Sequence, residues 1–527
     1  MAESVGPVER VRATESKSSE TLKRGVRALA WPSVAFGVAL LLFTRFNIED
    51  MLSRDESIYV YAAQRQAAGV APYVSIFDPK TPLASWLATA ALGVGRALDV
   101  SDVYSIRAVY LLVACLTVSA MYLLAKWFFS STLAGIAAAA TLASFEGFAR
   151  DALTGPDAKT PAVLLSIVTL ALLVRRRYFL AGLAASLAFL TWQPLAIYAV
   201  VVLVFALTSS DAGKRLHAAG SALAGVAIPV AATAIYFAAE GALGDLYDAT
   251  INYPLTGVES SQEGNLLRHI AEVVDRDYST TKIVFWAGLA LLLALAVARV
   301  IRPPGGDRRS LLRDPYCIAV VPAFIGIFVF SLTDFQGYPD VYPLLPFSAL
   351  GIGAGFWLLE SATANGPFAV VAAALSVAAI TAMVVASLVV YSRAGSDLTE
   401  LTQQRKAAAA LDRLLGPDDT MIALGNPMPL VLTERTNPSP FIYLQAGVDQ
   451  WAIDHRFGSF EKWTKQIEAV DPAVIVLARQ TEPLRWGRWK SPLQGRMRTW
   501  LATRYVPMRV EGLPVFVTPS VAERASP

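Results

Sequence analysis

Histidine and cysteine are nearly absent from this 527-residue sequence, which has three of the first and two of the second. His217, His269 and His455 are scattered, so no imidazole cluster is available and any acid–base chemistry falls to carboxylates. Cys115 and Cys317 both lie inside apolar runs and read as small helix- or lipid-facing residues, which excludes a disulfide framework or a thiolate metal site. Charge is scarce as well: 17% of residues carry one, against roughly a quarter in ordinary soluble proteins. The net charge of +3 is split into local clusters, which argues against a nucleic-acid partner. What the chain does have is apolar surface, with 55% hydrophobic residues and a mean hydropathy of +0.47. Soluble cores stop growing at roughly 250–300 residues, so this surplus excludes a soluble multidomain enzyme. It also excludes disorder beyond the N-terminus.

Residues 1–28 form a polar, basic tail (Arg10, Arg12, Lys17, Lys23, Arg24, Arg27). The apolar run at 29–46 follows without a small-residue cleavage site and reads as an uncleaved signal-anchor helix. Further runs occupy 103–126, 131–148, 158–174, 216–239, 282–302, 315–333, 341–360 and 367–391, against the roughly 17–25 residues a crossing needs. The stretch 178–207 is too long for one untilted crossing, and Gln193-Pro194 splits it into two short helices. The stretch 82–98 is short, closes on Arg96 and Asp99, and is placed along the membrane surface. That placement puts Arg175-Arg176-Arg177, Lys214-Arg215, Arg299, Arg302, Arg308, Arg309 and Arg313 on the N-terminal side, as the positive-inside rule requires.

The expectation is therefore a multi-pass α-helical membrane protein of about eleven transmembrane helices with outer-face juxtamembrane helices. The transmembrane domain covers 29–391, with outer loops at 47–102, 149–157, 240–281 and 334–340. The N-terminus is inside and the C-terminus outside, in the cytoplasmic (inner) membrane of a cell envelope. The tail at 392–527 changes pattern and predicts a small C-terminal α/β extracytoplasmic domain. A polar helix at about 398–415 leads to a strand, Met421-Ile-Ala-Leu-Gly425. There follow the apolar runs PLVLT and FIYLQ, a strand Val474-Ile-Val-Leu-Ala478, an amphipathic helix near 492–504, and YVPMRV and LPVFVTP.

Four acidic or basic constellations lie in the outer connections. Asp55-Glu56 opens a helix just after the first span, with Ser53 or Asp55 as its N-cap and Tyr59 a turn later. Acidic caps on interfacial helices are common, so the pair alone does not establish catalysis. Tyr73 precedes Phe77-Asp78-Pro79-Lys80-Thr81-Pro82-Leu83, where flanking prolines stiffen the backbone around an ammonium suited to a lipid phosphate. A snorkelling interfacial lysine is the plain alternative. Arg150, Asp151, Asp157 and Lys159 crowd one short turn between two spans, where ionisable groups beside apolar helices tend to mark functional cavities. Asp334 to Pro346, containing Tyr342, restarts a helix through three prolines.

Together these motifs resemble the GT-C class of membrane glycosyltransferases, in particular the protein-O-mannosyltransferase and lipid A aminoarabinose transferase relatives. Asp55-Glu56, Ala71-Pro72-Tyr73 and Asp78-Pro79-Lys80-Thr81-Pro82-Leu83 carry the resemblance, with the Asp157 loop and Tyr342-Pro-Leu-Leu-Pro346 as later landmarks. Thr81 stands where the pattern has a first proline, and either Asp151 or Asp157 can be its second acidic residue, Asp157 being preferred because it directly precedes a span. The resemblance implies an inverting transfer of sugar from a polyprenyl-phosphate donor to a hydroxyl of an acceptor glycan, lipid or protein at the outer face. Asp55, Glu56 and Asp157 are then the catalytic candidates, Asp55 being the general base. Lys80 and Arg150 would bind the donor phosphate, with Arg268 a distant third. Tyr59, Tyr73, Asp78, Asp151 and Tyr342 would line the acceptor site or cavity. No cofactor is called for with certainty, and a divalent cation held by Asp55 and Asp157 is left open. The competing expectation is a transporter or flippase of a lipid-linked or anionic substrate. It fits less well, because the ionisable residues avoid the middle of the spans and no inverted repeat is visible. A non-catalytic scaffold or sensor is the third expectation.

Overall fold

A computed structural model describes residues 29–209, 212–256, 266–303, 306–335, 337–364, 366–394, 400–442, 448–477 and 491–525. The basic tail at 1–28 lies outside them, as do the end of the FIYLQ run and Ala478. Among the described residues, five helices are long and apolar enough to cross a bilayer: Asp102–Phe129, Arg215–Ala239, Lys282–Ile301, Tyr338–Thr363 and Ala369–Ala394. Thr132–Ser144 and Glu146–Thr154 form a pair bent by 67°, which makes a sixth span if the two act as one. Leu29–Phe43, Lys159–Val174, Tyr178–Thr191, Gln193–Thr208 and Tyr316–Ser331 are equally apolar but shorter. At about 1.5 Å per residue they fall short of a hydrocarbon layer roughly 30 Å thick. Large apolar side chains on these helices stay uncovered, among them Ile235 (69%), Ile283 (77%) and Val370 (80%). Apolar exposure on that scale belongs to a lipid-facing surface, and the protein is membrane-embedded.

Small residues set the helix spacing. A Cβ added at Gly351 would lie 1.8 Å from the Gly288 carbonyl oxygen, so Lys282–Ile301 and Leu345–Thr363 touch backbone to backbone. In lipid, where burial gives no hydrophobic drive between helices, such close approach is a main source of attraction. Gln193-Pro194 does break its long run: Tyr178–Thr191 ends, a short 3₁₀ turn spans Gln193–Leu195, and Ala196–Ser209 begins. Leu83–Ala97 is a separate helix between Arg54–Ala67 and Asp102–Phe129, packed against both.

The C-terminal unit is built on a four-stranded sheet ordered β1-β2-β4-β3, with β1 Met421–Leu424, β2 Val474–Leu477, β3 Val506–Val510 and β4 Leu513–Val517. β1 and β2 are parallel and buried along their whole length, and the other two pairings are antiparallel. Glu511 (φ 47°) and Gly512 (φ 84°) make the two-residue turn between β3 and β4, since two left-handed residues match the strand twist. Helices Glu400–Leu414, Phe460–Val470 and Ser491–Arg504 accompany the sheet, near the expected positions. The PLVLT run folds into helix Met428–Thr433.

This unit docks onto the connection that follows the first helix. The Leu401 amide donates to the Glu49 carbonyl (3.0 Å), and the Gln404 side chain accepts from the Leu52 amide (2.7 Å). The Tyr61 hydroxyl accepts from the Asn437 amide (2.8 Å). Helix Arg54–Ala67 is thereby held between the membrane helices and the C-terminal unit, at the end of the bundle where the charged connections converge.

Candidate functional site

The two adjacent acids of helix Arg54–Ala67 have opposite environments. Ser53 caps the helix by accepting from the Glu56 amide, and the Glu56 carboxylate accepts from the Ser53 amide in return (2.9 Å). That reciprocal capping turns Glu56 inward, where Arg107, with no exposed surface, meets it at 3.1 Å. Arg107 also donates to the carbonyls of Ile48, Asp50 and Met51, tying the helix entry to helix Asp102–Phe129. Gly155 (φ 138°) seals the pair from the other side, since a Cβ there would lie 1.7 Å from a Glu56 oxygen. Burial pushes Glu56 up to about 7, against the pull of Arg107.

Asp55 faces the opposite way. Arg54 grips one of its oxygens through Nε (2.9 Å) and Nη2 (2.8 Å), yet the side chain remains 47% exposed. Crowding by surrounding protein opposes its charge, but Arg54 and then Lys80 and Lys159 hold its carboxyl below the usual range. Being crowded and solvent-accessible together describes a residue lining a recess.

The Lys80 loop reaches this recess under several restraints. Tyr73 occupies the left-handed region (φ 67°), a placement that costs a bulky residue about 1–3 kcal/mol. Its hydroxyl donates to the Lys80 carbonyl (2.8 Å). Gln193, at the helix break, donates to the Pro79 carbonyl (2.6 Å), and Thr81 donates to the Phe189 carbonyl (2.9 Å). The Lys80 ammonium then sits 5.5 Å above the Tyr59 ring. Burial disfavours its charge, but the Tyr59 oxygen, Asp157, Asp55 and Asp78 outweigh it and keep Lys80 protonated well above the ordinary lysine range. Asp78 accepts from the Lys80 amide (3.2 Å), and burial pushes its carboxyl up to about 6, with Asp55 and Asp157 adding to the rise and Lys80 opposing it.

Asp157 closes the far side. It accepts from the Lys159 amide (2.6 Å), which starts helix Lys159–Val174. The Lys159 ammonium pairs with Asp340 at 2.6 Å and lies 5.7 Å from the Trp192 ring centroid. Asp55, Asp78, Lys80, Asp157, Lys159 and Asp340, drawn from three connections, lie near enough to influence one another's charge.

Other expected site residues lie elsewhere in the cluster. The Asp151 oxygens accept from the hydroxyls of Tyr338 (2.7 Å) and Tyr342 (2.6 Å), and Tyr342 also reaches the Gly147 carbonyl. Arg150 stays with this group, 3.8 Å from Glu146 and 5.6 Å from the Tyr338 ring centroid. Tyr73 and Tyr342 are buried, with hydroxyls engaged by backbone or carboxylate. Arg268 makes an exposed pair with Glu272. The sequence reading placed Lys159 in the crowded turn without giving it a role, and did not name Asp340, Arg107 or Gln193 as site residues. A lone lysine in the first turn of an otherwise apolar helix was the available signal for Lys159. Among the described residues, no group of three or more His, Cys, Asp or Glu side chains is arranged to hold a metal ion.

No family model matches the chain, and no curated protein matches it in sequence. Solved structures do match, and they share the fold of GT-C glycosyltransferases. Within that class the chain is similar to ArnT from Cupriavidus metallidurans over 95% of its own length and 100% of the other chain, at 17% identity. The TM-score is 0.60 for ArnT bound to undecaprenyl phosphate and 0.59 for the apo state. It is also similar to the archaeal oligosaccharyltransferase AglB from Archaeoglobus fulgidus, in complex with an inhibitory peptide and a dolichol-phosphate. That match has a TM-score of 0.52 at 14% identity and covers 85% of this chain and 69% of the other.

Proposed function

We propose that the protein is an inverting glycosyltransferase that moves a sugar from a polyprenyl-phosphate donor to an acceptor hydroxyl at the outer face of the membrane. The observation that carries this reading is the open Asp55 carboxylate in one charged cluster with Lys80, Lys159 and Asp157, on a fold shared with a structure bound to undecaprenyl phosphate. In the proposed step the acceptor oxygen attacks the anomeric carbon and its proton passes to Asp55. The bond from that carbon to the phosphate oxygen breaks, and the electron pair leaves on the polyprenyl phosphate. Charge grows on that leaving group, and preorganised cations at Lys80 and Lys159 would stabilise it. Asp157 would orient the acceptor. A divalent ion, if one takes part, would share Asp55 and Asp157 with the lysines. The buried Glu56 is read as a structural support of Asp55.

The proposed topology keeps eleven crossings: the five long helices, the bent pair and the five shorter ones, the last locally thinning the bilayer or snorkelling their flanking residues. The basic tail is then inside the cytoplasmic membrane and the 392–527 domain outside. Proteoliposomes supplied with radiolabelled polyprenyl-phosphate sugars test the function. Label transferred to an acceptor by the parent protein and lost in Asp55→Asn is the expected result. Label crossing the sealed membrane without any glycosyl product would instead establish the carrier reading.

A further inference from the structure

We infer that the C-terminal unit positions Lys80, acting through Phe77, and that Trp451 is the positioning residue. The inference rests on the reading of Lys80 as the cation for the donor phosphate. Phe77 lies three residues before Lys80 and is almost fully buried, in a cluster that joins Phe237 and Tyr253 to Phe441 and Trp451 of the C-terminal unit. Its amide donates to the Pro440 carbonyl (2.8 Å). Its ring stacks on Phe441 (5.2 Å, 27°) and on Trp451 (5.2 Å, 30°), and meets Tyr253 edge-on at 5.6 Å.

Trp451 is fixed from three further directions. Its indole nitrogen donates to Thr256 Oγ1 (3.1 Å), its ring meets Tyr253 edge-on (5.8 Å), and His455 stacks on it at 5.0 Å. Arg456, one residue on, pairs with Asp248 (2.7 Å) and Asp245 (3.2 Å). A wedge from the C-terminal unit thus locks the 240–256 connection and the start of the Lys80 loop together. Tyr73, Gln193 and Thr81 hold the loop at and beyond Pro79, whereas the Phe77 stack holds the approach to Asp78. A short loop anchored at both ends presents its ammonium at one point, and a shift of about 1 Å at a charged group is enough to change binding or rate by up to two orders of magnitude.

The test measures binding of undecaprenyl phosphate to the full-length protein in nanodiscs, and donor KM and kcat for transfer. Trp451→Ala and the milder Phe441→Leu are expected to raise the dissociation constant about tenfold and to lower kcat at saturating donor by about tenfold, since the displaced ammonium serves the phosphate in both. Trp451→Phe, which keeps a flat ring against Phe77, is expected to restore the parent values within about twofold. Trp500→Ala is the matched control: Trp500 packs on Tyr505 and donates to Glu468 within the same unit, away from Phe77. It should lower the melting midpoint while leaving both constants unchanged. Equal loss of donor affinity in Trp500→Ala and Trp451→Ala would overturn the inference, because general loosening of the unit would then explain both. So would parent-like binding in Trp451→Ala and Phe441→Leu alongside lost binding in Lys80→Ala. Parent-like binding in Lys80→Ala itself would instead remove the reading of Lys80 on which the inference stands.

Discussion

Replacing each of two adjacent acids separates support from chemistry. Glu56 is 7% exposed and held 3.1 Å from an Arg107 with no exposed surface. Removing one partner of a buried ion pair costs about 3–5 kcal/mol, because the other charge stays buried. In Glu56→Gln the amide oxygen can still accept from the Ser53 amide, and Arg107 keeps its three backbone carbonyls. The loss should therefore fall at the low end, about 3 kcal/mol. Asp55 is half exposed, and its contact with Arg54 is a surface pair worth about 0–1 kcal/mol. Asp55→Asn should leave the unfolding curve in detergent almost unmoved while lowering turnover by roughly 10²–10⁴, the usual worth of a general base. The assay pairs a denaturant titration with sugar transfer per folded molecule. A stable but inactive Glu56→Gln beside an active Asp55→Asn would refute the assignment of roles.

Lys80→Met should preserve the fold but reduce turnover by about 10²–10³, because it removes a preorganised cation from the leaving group; steady-state kinetics with saturating donor measures it. Gly155→Val places carbon atoms where the Glu56 carboxylate lies and forces a left-handed backbone on a branched residue. It should therefore lower both the melting midpoint and the activity, and parent-like behaviour would show that the loop does not pack as described. Asp78 supplies a pH dependence. Burial pushes its carboxyl up to about 6, so it gains charge as pH rises through that value, and the affinity for a phosphodiester donor should fall as pH rises through 6. Asp78→Asn should flatten that profile, and an unchanged profile would remove Asp78 from the site.

The helices and the α/β tail were legible because long apolar runs and short, wholly apolar strand segments are local signals. Gln193-Pro194 breaks its run where proline chemistry says it must. The opposite environments of Asp55 and Glu56 were not legible. What distinguishes the two acids is Arg107, which reaches Glu56 only after the chain has returned through Leu83–Ala97. The different surroundings of Asp151 and Asp157 were equally hidden. Two tyrosines from a distant connection occupy Asp151, while Asp157 lies near enough to Lys80 to bias its ammonium. Lys159 was visible as a residue but not as a site member, since its partner Asp340 belongs to a turn far along the chain.

Charge balance explains why so many ionisable groups can sit at the end of an apolar bundle. An isolated ammonium or carboxylate near the hydrocarbon layer costs several kcal/mol. Here each cation has acids beside it: Arg54 has Asp55, Lys159 has Asp340, and Lys80 has Asp55, Asp78 and Asp157 around it. The cluster is therefore self-compensated. The same compensation sets a condition on the donor. A phosphate arriving at Lys80 adds negative charge among three carboxylates, which favours keeping one of them protonated. Asp78, sealed by burial and placed beside Lys80, is the carboxyl whose environment already resists ionisation. In the proposed mechanism Asp55 would stay ionised to accept the acceptor's proton, and Asp78 would absorb the electrostatic cost of binding. Neighbouring acids of one loop cluster would thus divide two tasks that a single carboxylate could not perform together.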